Sequence, residues 1–203
     1  MAQRLFGAQI MAVSILILAA GLSSRMRDAD KLTKPFKGTT LLARIAAEAL
    51  DSQADEVVAV LPRGHAKRRA CLPVGVKLAE VEDETPSLSR SLAVGIVAAA
   101  PNADVMVVLA DMPDVTATHI DTLINAKETH ANPTIFRLAD AQGNPGHPVL
   151  FRAQHRAALC ALKGDQGARE LIRRHQNEVH LVPSSDNAAR VDLDTSEDWD
   201  AYR

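Results

Sequence analysis

Aromatic side chains make up only 3% of the 203 residues, too few to build the stacking platforms that hold single-stranded nucleic acid. Nor is there a basic excess: the formal net charge is -2, so no overall positive field draws in a phosphate polymer. Cysteine occurs twice, at Cys71 and Cys160, far apart and without the paired spacing of a zinc or dithiol site. Two such thiols fit a reducing compartment, and the expected location is the cytoplasm. Long apolar runs are missing too. The stretch from Leu5 to Ala20 is too short to span a bilayer, and it leads into a glycine turn rather than a small-residue cleavage site. Its β-branched members Val13, Ile15 and Ile17 suit a strand. Residues 1–12 are then a leader, either an upstream extension or disordered, with Met11 as a natural start, and 13–203 form one domain.

What is abundant is aliphatic. Hydrophobic residues reach 47%, enough for a full core in a chain of this length. Apolar runs of strand length (15–18, 57–61, 74–79, 105–109) alternate with stretches of helical spacing. The helical stretches are 41–50 behind Thr39-Thr40, 87–100 with Leu88, Leu92, Ile96 and Val97, and 116–127 behind Thr116. Such alternation predicts an α/β fold with a doubly wound, mostly parallel, Rossmann-like sheet. A strand at 133–138, a turn at 140–144 and a returning strand at 147–151 add a small antiparallel hairpin. Helices are expected near 153–162 and 166–175, strands at 178–182 and 188–193, and a capped helix after Asp194. The basic stretch 64–69 is expected to be a solvated turn or short helix.

The first strand ends in Ala19-Ala20-Gly21 and is followed by a loop carrying Ser23, Ser24, Arg25 and Lys31. A strand, a glycine turn and then cations is how an α/β sheet offers backbone N–H groups and positive charge to phosphates. With no Gly-Lys-Ser/Thr ending and a single glycine, neither the Walker loop nor G-x-G-x-x-G is present. Asp111 lies just beyond the 105–109 strand and is stiffened by Pro113. It reads either as a turn aspartate or as a holder of Mg²⁺, an ion that takes one or two carboxylates together with phosphate oxygens and water. Asp192 and Asp194 flank Leu193 near the C-terminus, and the expectation is that only one of them faces the site. On the residues alone, Asp194 reads as a helix cap before it reads as a ligand. His147, in a segment rich in backbone breakers, reads as a structural hydrogen-bonding group.

The segments Leu18-Ala19-Ala20-Gly21-Leu22-Ser23-Ser24-Arg25-Met26 and Asp30-Lys31-Leu32 resemble the signature of nucleotidyltransferases. The likeness is greatest to the molybdenum cofactor cytidylyltransferase branch of the MobA-like NTP transferase family. Ser87 to Gly95, Leu109-Ala110-Asp111-Met112-Pro113, Gly146-His147-Pro148 and Gly164-Asp165-Gln166-Gly167-Ala168-Arg169 follow in order, and Val191 to Asp198 completes the set. The resemblance implies transfer of CMP from CTP to molybdopterin with release of pyrophosphate. It implies that Ala19, Ala20, Gly21, Leu22, Ser23, Ser24, Arg25, Lys31, Ser87 and Ser91 bind the nucleotide, with Arg25, Lys31 and Asp111 catalytic. It further implies Mg²⁺ on Asp111 and Asp194, His147 and Asp165 on the acceptor side, and a possible client molybdoenzyme as partner. Ala20, where guanylyl-transferring relatives tend to carry glycine, favours cytosine. A guanylyl or sugar-phosphate transferase, or a non-catalytic cofactor-binding protein, is the alternative.

Overall fold

The computed structural model describes residues 12–21, 30–83, 86–164 and 167–202. Strand β1 (Val13–Leu18) leads by way of a 3-10 turn at Lys31–Thr33 to the short pair β2 (Pro35–Phe36) and β3 (Thr39–Thr40). Helix α1 (Leu41–Leu50), β4 (Glu56–Pro62), α2 (Ala66–Ala70), β5 (Lys77–Val81), α3 (Leu88–Ala98) and β6 (Asp104–Leu109) follow. The chain continues through α4 (Ala117–Thr129), β7 (Ile135–Ala139) and β8 (Pro145–Phe151). It then runs through α5 (Arg156–Cys160), α6 (Arg169–Arg174), β9 (Val179–Pro183) and α7 (Ser196–Ala201).

The main sheet has the order β5-β4-β1-β6-β8-β7-β9. Strands β5, β4, β1 and β6 are parallel, while β8 runs antiparallel to both β6 and β7. The expected hairpin is therefore β7–β8, built into the sheet itself, and β2–β3 forms a separate antiparallel pair.

Strand β1 shows why the sheet is doubly covered. Val13, Ile15, Ile17 and Ala19 pack into one core with Leu41, Leu42 and Ile45 of α1 and Ile120 and Leu123 of α4. Leu16, Leu18 and Ala20 pack into the other with Leu92 and Ile96 of α3, Leu159 of α5 and Leu171 of α6. The two-residue strand period sends successive side chains to opposite faces, and both faces are apolar here, as a central parallel strand requires. Thr40 caps α1 by accepting from the Ala43 N–H at 3.2 Å, which supports its helical start after the turn. In α3, a Cβ on Gly95 would come within 2.9 Å of a Val60 methyl, so the glycine lets the helix lie close on the sheet.

Three expectations are corrected. Residues 188–193 are not a strand: 188–190 form a turn and 191–193 carry no regular secondary structure. Ala188, Ala189 and Leu193 are apolar because they are buried, not because they pair. Val97 is 82% exposed, because α3 meets the sheet through Leu92, Gly95 and Ile96. The basic stretch 64–69 does supply the short helix α2, but Arg68 is only 3% exposed rather than solvated.

Candidate active site

The carboxyl ends of β1, β4 and β6 open on one edge of the sheet, and the charged groups of the first loop and of the segment after β6 converge there. Lys31 begins the 3-10 turn, whose Asp30 cap accepts from the Leu32 N–H at 3.2 Å. Its Nζ lies 2.7 Å from Asp111 Oδ2 and 2.5 Å from Asp194 Oδ1. Asp111 follows β6 by two residues, and its carbonyl accepts from the Leu193 N–H at 3.0 Å, which brings the C-terminal segment alongside. Asp194 is not the cap of α7. Thr195 is the N-cap, in a reciprocal box with Asp198, and this leaves the Asp194 carboxylate to Lys31.

Asp192 lies in the same cluster, so the expectation that only one of these aspartates faces the site is overturned. Residues two apart in an extended chain project to the same side, so strand alternation does not separate 192 from 194. Burial raises the Asp192 pKa, and the nearby Asp194 and Asp111 charges raise it further against the pull of Lys31. Burial works against the charge of Lys31, but Asp111 and Asp194 outweigh it and hold the ammonium above its ordinary pKa. Three carboxylates therefore gather around one lysine, and Asp111 Oδ1 is buried with no hydrogen-bond partner among the described residues. Hard oxygen donors with an excess of negative charge suit Mg²⁺ or Mn²⁺, and Asp111 and Asp194 are the residues that fit such an ion.

Arg68 was not singled out by the sequence, since a basic run gives no sign of which member is buried. Its guanidinium donates to both Asp30 oxygens, at 2.8 and 2.9 Å, to the Ala19 carbonyl at 2.6 Å and to the Gly21 carbonyl at 2.9 Å. It thus joins the end of the first strand to the residue preceding Lys31, a bidentate, charge-assisted arrangement suited to arginine. The guanidinium and the Leu32 N–H keep Asp30 below the usual carboxylate pKa, although burial alone would raise it.

Beside the carboxylates lies a cavity of about 360 Å³, lined by Leu88, Leu92, Val149 and Phe151 and by Arg137, His147, Arg169, Arg190 and Asp192. Its rim is built by close packing: the His147 N–H donates to the Ala189 carbonyl at 2.9 Å, and a Cβ on Gly146 would fall 1.8 Å from that oxygen. Only glycine fits. The His147–Pro148 peptide bond is cis. Burial, then the Arg137 charge, lowers the His147 pKa to about 4, so the ring is neutral near pH 7, and its Nδ1 is buried without a partner among the described residues. Burial and the neighbouring Arg169 also lower the pKa of Arg137. The crowded cations leave room for an anion's charge.

Of the residues expected at the site, Ala19 and Ala20 are buried at the end of β1 and Gly21 is exposed. Ser87 caps α3, accepting from the Arg90 N–H, and the Ser91 hydroxyl donates to the Ser87 carbonyl at 3.2 Å. Both hydroxyls therefore hold the start of the helix that borders the cavity. Leu22, Ser23, Ser24, Arg25 and Asp165 lie outside the described residues. Arg137 and Arg190, in turn, carried no sequence signal, because their shared position depends on how β7 and the residues after β9 are folded together.

Residues 15–179 match the MobA-like NTP transferase domain, and the chain belongs to that family. Among relatives, it is 27% identical over 192 residues to nicotine blue oxidoreductase of Paenarthrobacter nicotinovorans, covering 91% of this chain and 93% of that one. It is 28% identical over 205 residues to purine catabolism protein PucB of Bacillus subtilis strain 168, covering 93% and 94%. Among solved structures, Rv0371c of Mycobacterium tuberculosis H37Rv in complex with manganese is similar, with a TM-score of 0.78 at 25% identity over 94% of this chain and 97% of that one. No helix among the described residues is long and apolar enough to cross a membrane.

Proposed function

We propose that the protein transfers CMP from CTP to a molybdopterin-type phosphate in the cytoplasm. A phosphate oxygen of the acceptor attacks the α-phosphorus of CTP, the bond to the β-phosphate oxygen breaks, and pyrophosphate leaves. The observation that carries the reading is Lys31 held between Asp111 and Asp194, close to Asp192, which lines a cavity together with three arginines and several apolar side chains. In-line phosphoryl transfer asks for alignment and charge neutralisation more than for a protein nucleophile, and an ionised phosphate acceptor needs no general base.

In this reading the loop from Ala19 to Arg25 receives the triphosphate, with Ser87 and Ser91 at the nucleotide's edge. Lys31 and Arg25 balance the charge that develops on the phosphates. Asp111 and Asp194 would hold Mg²⁺, which supplies further neutralisation at the reacting phosphate when bound. His147 and Asp165 are assigned to the acceptor side, where Arg137, Arg169 and Arg190 suit an anionic group and Leu88, Leu92 and Phe151 suit the face of a flat ring. A client molybdoenzyme would receive the product.

Pyrophosphate release measured with CTP, GTP and ATP, with and without molybdopterin, tests the reading. The expected result is release that depends on both CTP and molybdopterin. Release with GTP or a sugar phosphate replaces the substrate assignment, and tight cofactor binding without release from any NTP turns the reading to a carrier. Because one relative is named an oxidoreductase, an arm with a reduced nicotinamide belongs in the same matrix, and turnover there without pyrophosphate would overturn the transferase reading.

A further inference from the structure

At the opposite end of the sheet, two chain segments bring His155, His175 and Glu178 together, with ligand atoms all within 4.8 Å of one another. Phe151, four residues before His155, pairs with Val105 at the start of β6, whereas Asp111 lies beyond the end of that strand. At about 3.3 Å per residue, roughly 20 Å separates the two places. The cluster is fixed by backbone: the Thr134 N–H donates to the Glu178 carbonyl at 3.0 Å, the Arg152 N–H to the Thr134 carbonyl at 2.9 Å, and the Glu178 N–H to the His175 carbonyl at 2.8 Å. His155 is 3% exposed, while His175 and Glu178 reach solvent at 35% and 39% of their side chains.

The hydrogen bonds settle the proton positions. Thr134 Oγ1 donates its single proton to Glu178 Oε2 at 2.5 Å. It can therefore only accept from His155 Nε2, 2.8 Å away. The Glu178 carboxylate also accepts from His175 Nδ1 at 2.8 Å. Two imidazoles and one carboxylate are thus gathered in one place and held together by protons.

We propose that His155, His175 and Glu178 form a second metal site, specific for a nitrogen-preferring divalent cation of the zinc and cobalt class. Two imidazoles and a carboxylate with a fourth position open to water are a donor set for Zn²⁺, at bond lengths near 2.0–2.2 Å, and a poor one for Mg²⁺, which prefers oxygen. On binding, each imidazole carries its proton on the nitrogen remote from the ion, and Glu178 Oε1 turns from His175 to the metal. Thr134 continues to donate to Glu178 Oε2 and so orients the ligand from behind. The site does not depend on the transferase reading.

Cobalt(II) is the probe, titrated into the full-length Asp111→Asn protein so that the carboxylate centre contributes little. The expected result is the visible absorption of a nitrogen-ligated ion, saturating at one equivalent and unaffected by excess Mg²⁺. His175→Gln and Glu178→Gln, both at the surface, should each weaken cobalt binding by more than the roughly 10–100-fold that loss of an outer-shell partner causes. Zinc should raise the Tm of the parent but not of either variant, which separates loss of the site from loss of the fold. No nitrogen-type spectrum, displacement by Mg²⁺, or full retention of cobalt in either variant would overturn the proposal.

Discussion

Strand β6 has an aspartate paired with a lysine beyond or at each of its ends, and the two pairs are built differently. At the amino end Asp104, 1% exposed, accepts from the Ala153 N–H at 2.8 Å and lies 3.1 Å from the Nζ of Lys127, itself 5% exposed. One carboxylate meets one ammonium inside the fold. At the carboxyl end Lys31 faces Asp111 and Asp194 with Asp192 close by. The first arrangement is electrostatically closed and belongs to the architecture. The second keeps an excess of negative charge at the edge of a cavity, where a cation and a phosphate can enter. A lysine–aspartate pair by itself therefore says little about function; the balance of charge and the access around it say more.

The sharpest way to break this comparison is to remove one carboxylate from each end. Asp111→Ala should lower pyrophosphate release by about a thousandfold or more, since charge stabilisation at the reacting phosphate is lost, while urea denaturation stays close to the parent. If release survives, Asp111 has no place in the metal role.

Lys127→Met should do the reverse. Leaving Asp104 buried and unpaired costs about 3–5 kcal/mol of stability, read from the urea midpoint, with turnover per folded molecule unchanged. A variant of parental stability would show that the pair is not closed in the way its burial indicates.

A third test uses pH. Because the folded-state pKa of His147 is lowered to about 4, the unfolded chain takes up the proton first on acidification. The contribution of this group is therefore complete above its unfolded pKa near 6.5 and lost as pH falls toward 4, by up to about 3 kcal/mol. Replacing His147 with Asn should flatten the stability profile over that window. An unchanged slope would remove the histidine from the cavity wall as a buried neutral group.

The smallest expected effect is that of Arg68→Lys, which keeps the charge but loses the fork that joins Asp30 to the Ala19 and Gly21 carbonyls. KM for the nucleotide should rise by about tenfold, roughly 1.4 kcal/mol, with kcat altered less. An unchanged KM would show that the anchoring does not reach the nucleotide.

Much of the fold was legible because local chemistry and burial agree. The run 105–109 is apolar on both faces and became the central strand β6. Thr40 and Ser87 became the caps of α1 and α3. Where apolar residues are buried without pairing, as at Ala188 and Leu193, periodicity suggested a strand that does not form. The pairing of Lys31 with Asp111 spans 80 residues and that with Asp194 spans 163. The sequence marked each of these residues as a strand-end or loop group, yet it held no measure of their separation.

By itself, then, the sequence determined the alternation of strands and helices, the glycine turn after β1, the aspartate after β6 and membership of the family, since all of these rest on residue type and near-neighbour spacing. Only the tertiary structure decided which charges meet. It buried Arg68 against two carbonyls and Asp30, turned Asp192 and Asp194 toward the same site, and gathered Arg137, Arg169 and Arg190 around one cavity. The physical reason is common to all three cases. Electrostatic and packing energies depend on distance and burial across segments remote in the chain, and neither is encoded by any one segment alone.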